Sequence, residues 1–114
     1  MPDCIFCKIA MRQIPSKIVH EDDEVVAFED VHPQAPVHIL VIPRRHVARL
    51  SDLTEAEAGL AGRLVTTASR IAADRGVAGP GYRVVINCNA DGGQSVDHLH
   101  LHLLGGRRMM WPPG

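Results

Sequence analysis

The chain is short of the residues that would commit it to several common classes. It carries three cysteines in 114 residues, too few for a disulfide framework and an odd number for one, a usage that fits a cytosolic protein. It has no excess of either charge, with 12 Lys and Arg against 13 Asp and Glu for a net charge of −1. That argues against bulk nucleic-acid binding, which needs a basic face. No stretch approaches the run of about 20 apolar residues that a membrane-spanning helix needs. The start, Met-Pro-Asp-Cys-Ile-Phe-Cys, shows neither the basic n-region nor the apolar h-region of a secretory signal. Repeats and low-complexity linkers are also missing. What remains is a single domain over residues 1–114, whose 46% apolar content can fill a core but whose small size would benefit from association.

The densest chemistry lies between Ser95 and Leu104, reading Ser-Val-Asp-His-Leu-His-Leu-His-Leu-Leu. Histidines at 98, 100 and 102 alternate with leucines at 99, 101 and 103. On a strand this period of two sends the imidazoles to one face and the leucines to the other. A helix would scatter them, because each residue turns about 100° from the last. Neighbouring histidines on a strand stand roughly 6.6 Å apart at the backbone, a spacing that lets several address one ligand. With an ordinary pKa of about 6.5, such a row can combine a neutral nucleophile with a proton donor. Zinc binding by His-x-His is the rival use, and solvated surface histidines the plain one. Asp91-Gly92-Gly93-Gln94-Ser95 leads into the row. By itself it reads as a tight turn; beside three histidines it reads as a cradle of N–H groups for a phosphate.

Elsewhere, Cys4-Ile5-Phe6-Cys7 is compatible with a redox pair, half a zinc site, or two ordinary small residues. A short helix is expected over Lys8 to Gln13, ending before Pro15. Strands are expected over Lys17 to His20, Glu24 to Phe28, Val37 to Pro43 and Tyr82 to Asn87. Asp30, in the proline-fixed loop after the second strand, suits two ribose hydroxyls or a turn cap. His38 on the third strand can orient the histidine row or simply be a satisfied core group. Arg44 and Arg45 read as a solvated turn. The main helix is expected over Ser51 to Arg75, opened by a Thr54/Glu57 capping box and closed by Gly76. Its buried stripe is Leu60, Leu64, Ala68, Ile71 and Ala72. The fold class is therefore α+β: an antiparallel sheet of about five strands, one long helix and a short N-terminal helix.

His98-Leu99-His100-Leu101-His102-Leu103-Leu104 resembles the His-φ-His-φ-His-φ-φ signature of the histidine triad (HIT) family. Gly-Gly-Gln-Ser before it, Leu-Gly-Gly-Arg and Trp-Pro-Pro-Gly after it, and Phe-x-Asp-φ-x-Pro-Gln-Ala-Pro upstream resemble the Hint branch. That resemblance implies a hydrolase of purine nucleoside phosphoramidates working through a nucleotidyl-histidine. It makes His100 the nucleophile and His38 its orienting partner. His102, Gly93, Gln94 and Ser95 fall on the phosphate side with Asn87, and Asp30 on the ribose. Ile5, Phe6, Phe28, Val31 and Leu40 form the base pocket, or equally plain core. It also implies a structural, non-catalytic zinc on Cys4, Cys7, His46 and His98. The tail carrying Trp111 should cross a two-fold homodimer toward the partner's leaving-group pocket. Rival readings are a dinucleoside polyphosphate hydrolase of the fragile-histidine-triad branch and a non-catalytic nucleotide-binding scaffold. A nucleotidyltransferase would carry glutamine where this chain has His102.

Overall fold

The computed structural model describes residues 3–114; Met1 and Pro2 of the expected domain lie outside the described residues. The elements run α1 (Ile5–Ala10), β1 (Ile18–Glu21), β2 (Val25–Glu29), β3 (Val37–Pro43), α2 (Ala58–Asp74), β4 (Tyr82–Ile86), α3 (Asn89–Gly92) and β5 (Leu101–Gly105). The strands form one sheet in the order β1-β2-β3-β5-β4, every neighbouring pair antiparallel. This is the expected α+β architecture. No helix among the described residues is long and apolar enough to cross a membrane.

Alternation along the strands divides the interior into two layers. Val25, Ala27, Ile39, Val41, Leu101 and Leu103 face α2, where Leu64, Ala68, Ile71 and Ala72 form the apolar stripe. Val26, Phe28, Leu40 and Ile42 point the other way, onto Phe6, Ile9 and Ala10 of α1. β3 is consequently buried on both faces, which explains its continuous apolar run. Gly105 ends β5 where a Cβ would come within 2.9 Å of Val77, so a side chain there would collide with the loop after α2.

Several details differ from the sequence expectation. The N-terminal helix begins at Ile5, not Lys8, because Cys4 caps it: the Cys7 N–H donates to Cys4 Sγ at 3.3 Å. The long helix begins at Ala58, not Ser51, because residues 50–57 form two separate 3₁₀ turns broken at the extended Leu53. The Thr54/Glu57 capping box is present, but it caps the second of these turns. Gly76 closes α2 with φ +75°, as a helix-ending glycine should. β5 begins only at Leu101, so His98 and His100 precede the ladder while keeping the in-out alternation. Arg44 is no free surface group, since its guanidinium donates to the carbonyls of Asp22 and Ala10, both at 2.8 Å, and to Glu21 at 3.2 Å. It thereby fastens the end of α1 to the β1–β2 turn.

Candidate active site and metal-binding group

The three histidines diverge in role because each has a different hydrogen-bond partner. His100 is buried, and its Nδ1–H donates to the His98 carbonyl at 2.7 Å. A neutral imidazole with its proton on Nδ1 keeps its lone pair on Nε2. Phe6 stands edge-on to the His100 ring, with centroids 5.2 Å apart, and fixes its plane. The His98 ring turns away from this pocket: its Nε2–H donates to the Pro43 carbonyl at 2.8 Å, leaving Nδ1 as the free nitrogen. Burial pulls the His98 pKa down to about 4, against the opposing effect of the bond to Pro43, so the ring is neutral.

His102, the only one of the three within β5, belongs to a relay. The Gln34 backbone N–H donates to His38 Nδ1 at 3.0 Å, which leaves the neutral His38 ring its proton on Nε2. That Nε2 lies 2.9 Å from His102 Nδ1 and 3.4 Å from Asp30 Oδ2. The His38 N–H donates to His102, so the His102 proton sits on Nε2. Desolvation lowers both rings, His102 to about 4 with help from the neighbouring His100 and His38, while Asp30 partly opposes the shift at His38. Asp30, His38 and His102 lie close enough to suggest a metal triad. The Gln34 N–H argues otherwise: a metal on His38 Nε2 would force the proton onto Nδ1, against that donor.

Phe6, Phe28 and Leu40 line a cavity of about 320 Å³ together with the more exposed Ile5 and Val31, and with Asp30, Ser95, His100 and His102. These are the expected base-pocket, ribose and phosphate-side residues, and they do converge. Ile9, Ile14, Pro15, Ser16, Glu29, His32 and Val96 also line it and were not anticipated. Ile9 had a signal, being one helical turn beyond Ile5; the others lie on loops and strand ends without periodicity. A broader depression of about 610 Å³ adjoins across Asp30 through Lys17 and Pro33, but reaches none of the histidines. Three expected residues stand back from the lining. Asn87 lies just beyond β4, and Gly93 caps α3 with φ +80°. The Gln94 amide is fully engaged in the loop, donating to the carbonyls of Ala48 and Val96 at 2.8 and 2.9 Å and accepting from the Asn89 N–H at 3.0 Å.

At the other end of the triad, Cys4, Cys7, His46 and His98 bring four donor atoms within 4.8 Å of one another. Cys4 Sγ to His98 Nδ1 is 3.3 Å, Cys7 Sγ to His46 Nδ1 is 3.3 Å, and Cys7 Sγ to His98 Nδ1 is 3.5 Å. A tetrahedral ion with bonds of about 2.3 Å to sulfur and 2.0 Å to nitrogen has sulfur–nitrogen edges of roughly 3.5 Å, so this set fits such an ion. Pro43 supplies the outer acceptor that such histidine ligands commonly have. Without an ion, burial and the neighbouring Cys4 push the Cys7 thiol up. Cys88 lies outside the group, with its Sγ 3.3 Å from Ser51 Oγ.

A HIT domain model matches residues 11–109. The chain is 55% identical over 112 residues to an uncharacterized HIT-like protein of Synechococcus elongatus, spanning 98% of this chain and 97% of that one. It is 49% identical over 105 residues to the purine nucleoside phosphoramidase of Escherichia coli, spanning 92% and 88%. Among solved structures, a HIT family hydrolase from Legionella pneumophila superposes with a TM-score of 0.96 at 47% identity, covering 98% of this chain and 100% of that one. A histidine triad protein from Clostridium difficile gives 0.94 at 45% identity, covering 96% of each. Sequence and backbone thus agree over nearly the full length, and the chain belongs to the HIT domain family.

Proposed function

We propose that this protein hydrolyses the P–N bond of purine nucleoside phosphoramidates such as adenosine 5'-phosphoramidate. The observation that carries this reading is the Nδ1–H bond from His100 to the His98 carbonyl, which leaves a nucleophilic Nε2 beside the donor His102 in one cavity. The likeness to the Escherichia coli phosphoramidase supports the substrate class. In the first step the His100 Nε2 lone pair forms a bond to phosphorus as the P–N bond breaks. The leaving nitrogen takes its proton from the Ser95 hydroxyl, which lines the same cavity. His102 Nε2–H and the Ser95 N–H donate to the equatorial oxygens, while the Gly93 N–H is held by the Ala90 carbonyl at 3.0 Å and shapes the loop. Water then attacks phosphorus, returns a proton to Ser95 Oγ, breaks the P–Nε2 bond and releases the nucleoside monophosphate with the His100 lone pair restored. Asp30 receives the ribose hydroxyls, and the Ile5, Phe6, Phe28, Val31 and Leu40 wall receives the base.

Zinc is the ion proposed for Cys4, Cys7, His46 and His98. There it would tie the N-terminus to the sheet and supply no chemistry to the reaction. A cytoplasmic location is proposed from the cysteine usage, and a homodimer from the surface: Trp111 is 81% exposed and Met110 70%, while β4 is an edge strand presenting Tyr82 and Val84. An uncovered apolar tail and edge are features that a second copy would bury. The deciding experiment is a turnover assay on adenosine 5'-phosphoramidate and diadenosine polyphosphates side by side, with acid-quench trapping of a nucleotidyl-histidine. Preference for the polyphosphates would replace the reading with a dinucleoside polyphosphate hydrolase. Binding without turnover of either would leave a nucleotide-binding protein.

A further inference from the structure

Asp30 touches the relay that orients His102, and that contact gives the sugar a route into the chemistry. We propose that Asp30 is a positioning residue as well as a ribose ligand: by its charge beside the His38 N–H that bonds His102, it makes ribose occupancy set the orientation of the phosphate-side histidine. This rests on the nucleotide reading above.

Two backbone bonds pin the arrangement. The Asp30 N–H donates to the His38 carbonyl at 3.0 Å, tying the carboxylate's own residue to β3. The His32 N–H donates to Asp30 Oδ1 at 2.8 Å, so Oδ2 is the oxygen left to face the cavity. Oδ2 stands 3.4 Å from His38 Nε2, whose single proton also faces His102 Nδ1 at 2.9 Å. The proton cannot leave Nε2 for Nδ1, because the Gln34 N–H already occupies Nδ1 at 3.0 Å. The N–H is therefore bonded to His102 and has the carboxylate beside it as an electrostatic competitor. In the free protein the negative charge on Oδ2 pulls on that N–H and weakens its hold on His102. Ribose hydroxyls donating to Oδ2 disperse that charge, and the N–H is left to His102 alone. His102, gripped at Nδ1, then holds Nε2–H steady toward the phosphoryl oxygens. The charged and titratable neighbours of the relay are Asp30 on the β2–β3 loop and His100, whose ring centroid lies 4.9 Å from that of His102. A nucleotide lacking the hydroxyls should thus bind less tightly and also react more slowly once bound.

The test compares adenosine 5'-phosphoramidate with its 2',3'-dideoxy counterpart by rapid quench at saturating substrate, in wild type and Asp30→Asn. In wild type the dideoxy compound should form the nucleotidyl-histidine at least tenfold more slowly. In Asp30→Asn the two rates should fall within threefold of each other. Equal wild-type rates with only KM raised would make Asp30 a binding group and overturn the proposal. A tenfold difference that persists in Asp30→Asn would overturn it too. A second arm needs neither turnover nor a folded variant. In ¹⁵N-histidine-labelled wild type, saturating adenosine 5'-monophosphate should move the His102 Nδ1 resonance toward a stronger acceptor, and 2',3'-dideoxyadenosine 5'-monophosphate should not. Identical shifts with both ligands would refute the coupling. Absence of turnover on either phosphoramidate would defeat the phosphoramidase reading, and this arm would still judge the relay.

Discussion

Replacing His100 in two ways separates its chemical role from its structural one. His100→Ala removes a buried ring that packs edge-on against Phe6 and donates to the His98 carbonyl at 2.7 Å. Truncating a buried ring to alanine costs about 3 kcal/mol in packing, and the orphaned carbonyl adds about 1 kcal/mol. His100→Asn keeps an N–H donor near the former Nδ1 and much of the volume, so it should cost about 1 to 2 kcal/mol. At this chain length each kcal/mol lowers the melting temperature by roughly 4 °C, which separates the two variants by about 8 to 12 °C. Turnover should be lost in both, since neither carries a lone pair able to attack phosphorus. Calorimetry and a phosphoramidate assay measure the two quantities independently. His100→Asn retaining turnover within a hundredfold of wild type would refute His100 as the nucleophile. Equal melting temperatures would refute the donor role assigned to its Nδ1–H.

Protein purified without chelator should contain about one zinc per chain by elemental analysis, and Cys4→Ser should lower both zinc content and melting temperature; metal-free protein of undiminished stability would refute the site. His102 is held neutral with its pKa lowered to about 4, and His38 is shifted the same way, so below the ordinary value of 6.5 the unfolded chain binds more protons than the folded one. Stability should therefore be fully present above pH 6.5 and fall as the pH drops toward 4, a slope to which the neutral His98 also contributes and which His102→Asn should make shallower in urea melts at successive pH values. Light scattering at micromolar concentration should give a dimer, and deleting residues 111–114 should change leaving-group preference; a monomer would defeat the interface.

The sheet and its two faces were legible because burial follows the period of two. Leu99, Leu101 and Leu103 are all buried in the layer beneath α2, as their spacing demands. The length of the histidine strand was not legible. Ladder pairing stops at Leu101, opposite Val41 and Ile86. Before it, the Leu99 N–H donates to the Val47 carbonyl and the His98 ring donates to Pro43. Those partners are distant in sequence and carry no periodic signal. The convergence of Asp30, His38, His100 and His102 followed from residue types and family resemblance. The proton positions on those rings depend on the Gln34 N–H and the His98 carbonyl, main-chain groups that every residue possesses. The helical setting of Cys4 and Cys7 was missed for a related reason, since a cysteine capping its own helix has no distinctive pattern.

The His98 residue faces two ways, its ring among the cysteines and its carbonyl on His100. Because the second contact is made by backbone, replacing the ring leaves the acceptor in place. The proposed zinc group can therefore be re-engineered, for instance by His98→Cys, while the proton that keeps the His100 lone pair on Nε2 holds its address. One residue thus serves the proposed zinc group through its ring and the proposed nucleophile through its main chain, and the two can be altered separately.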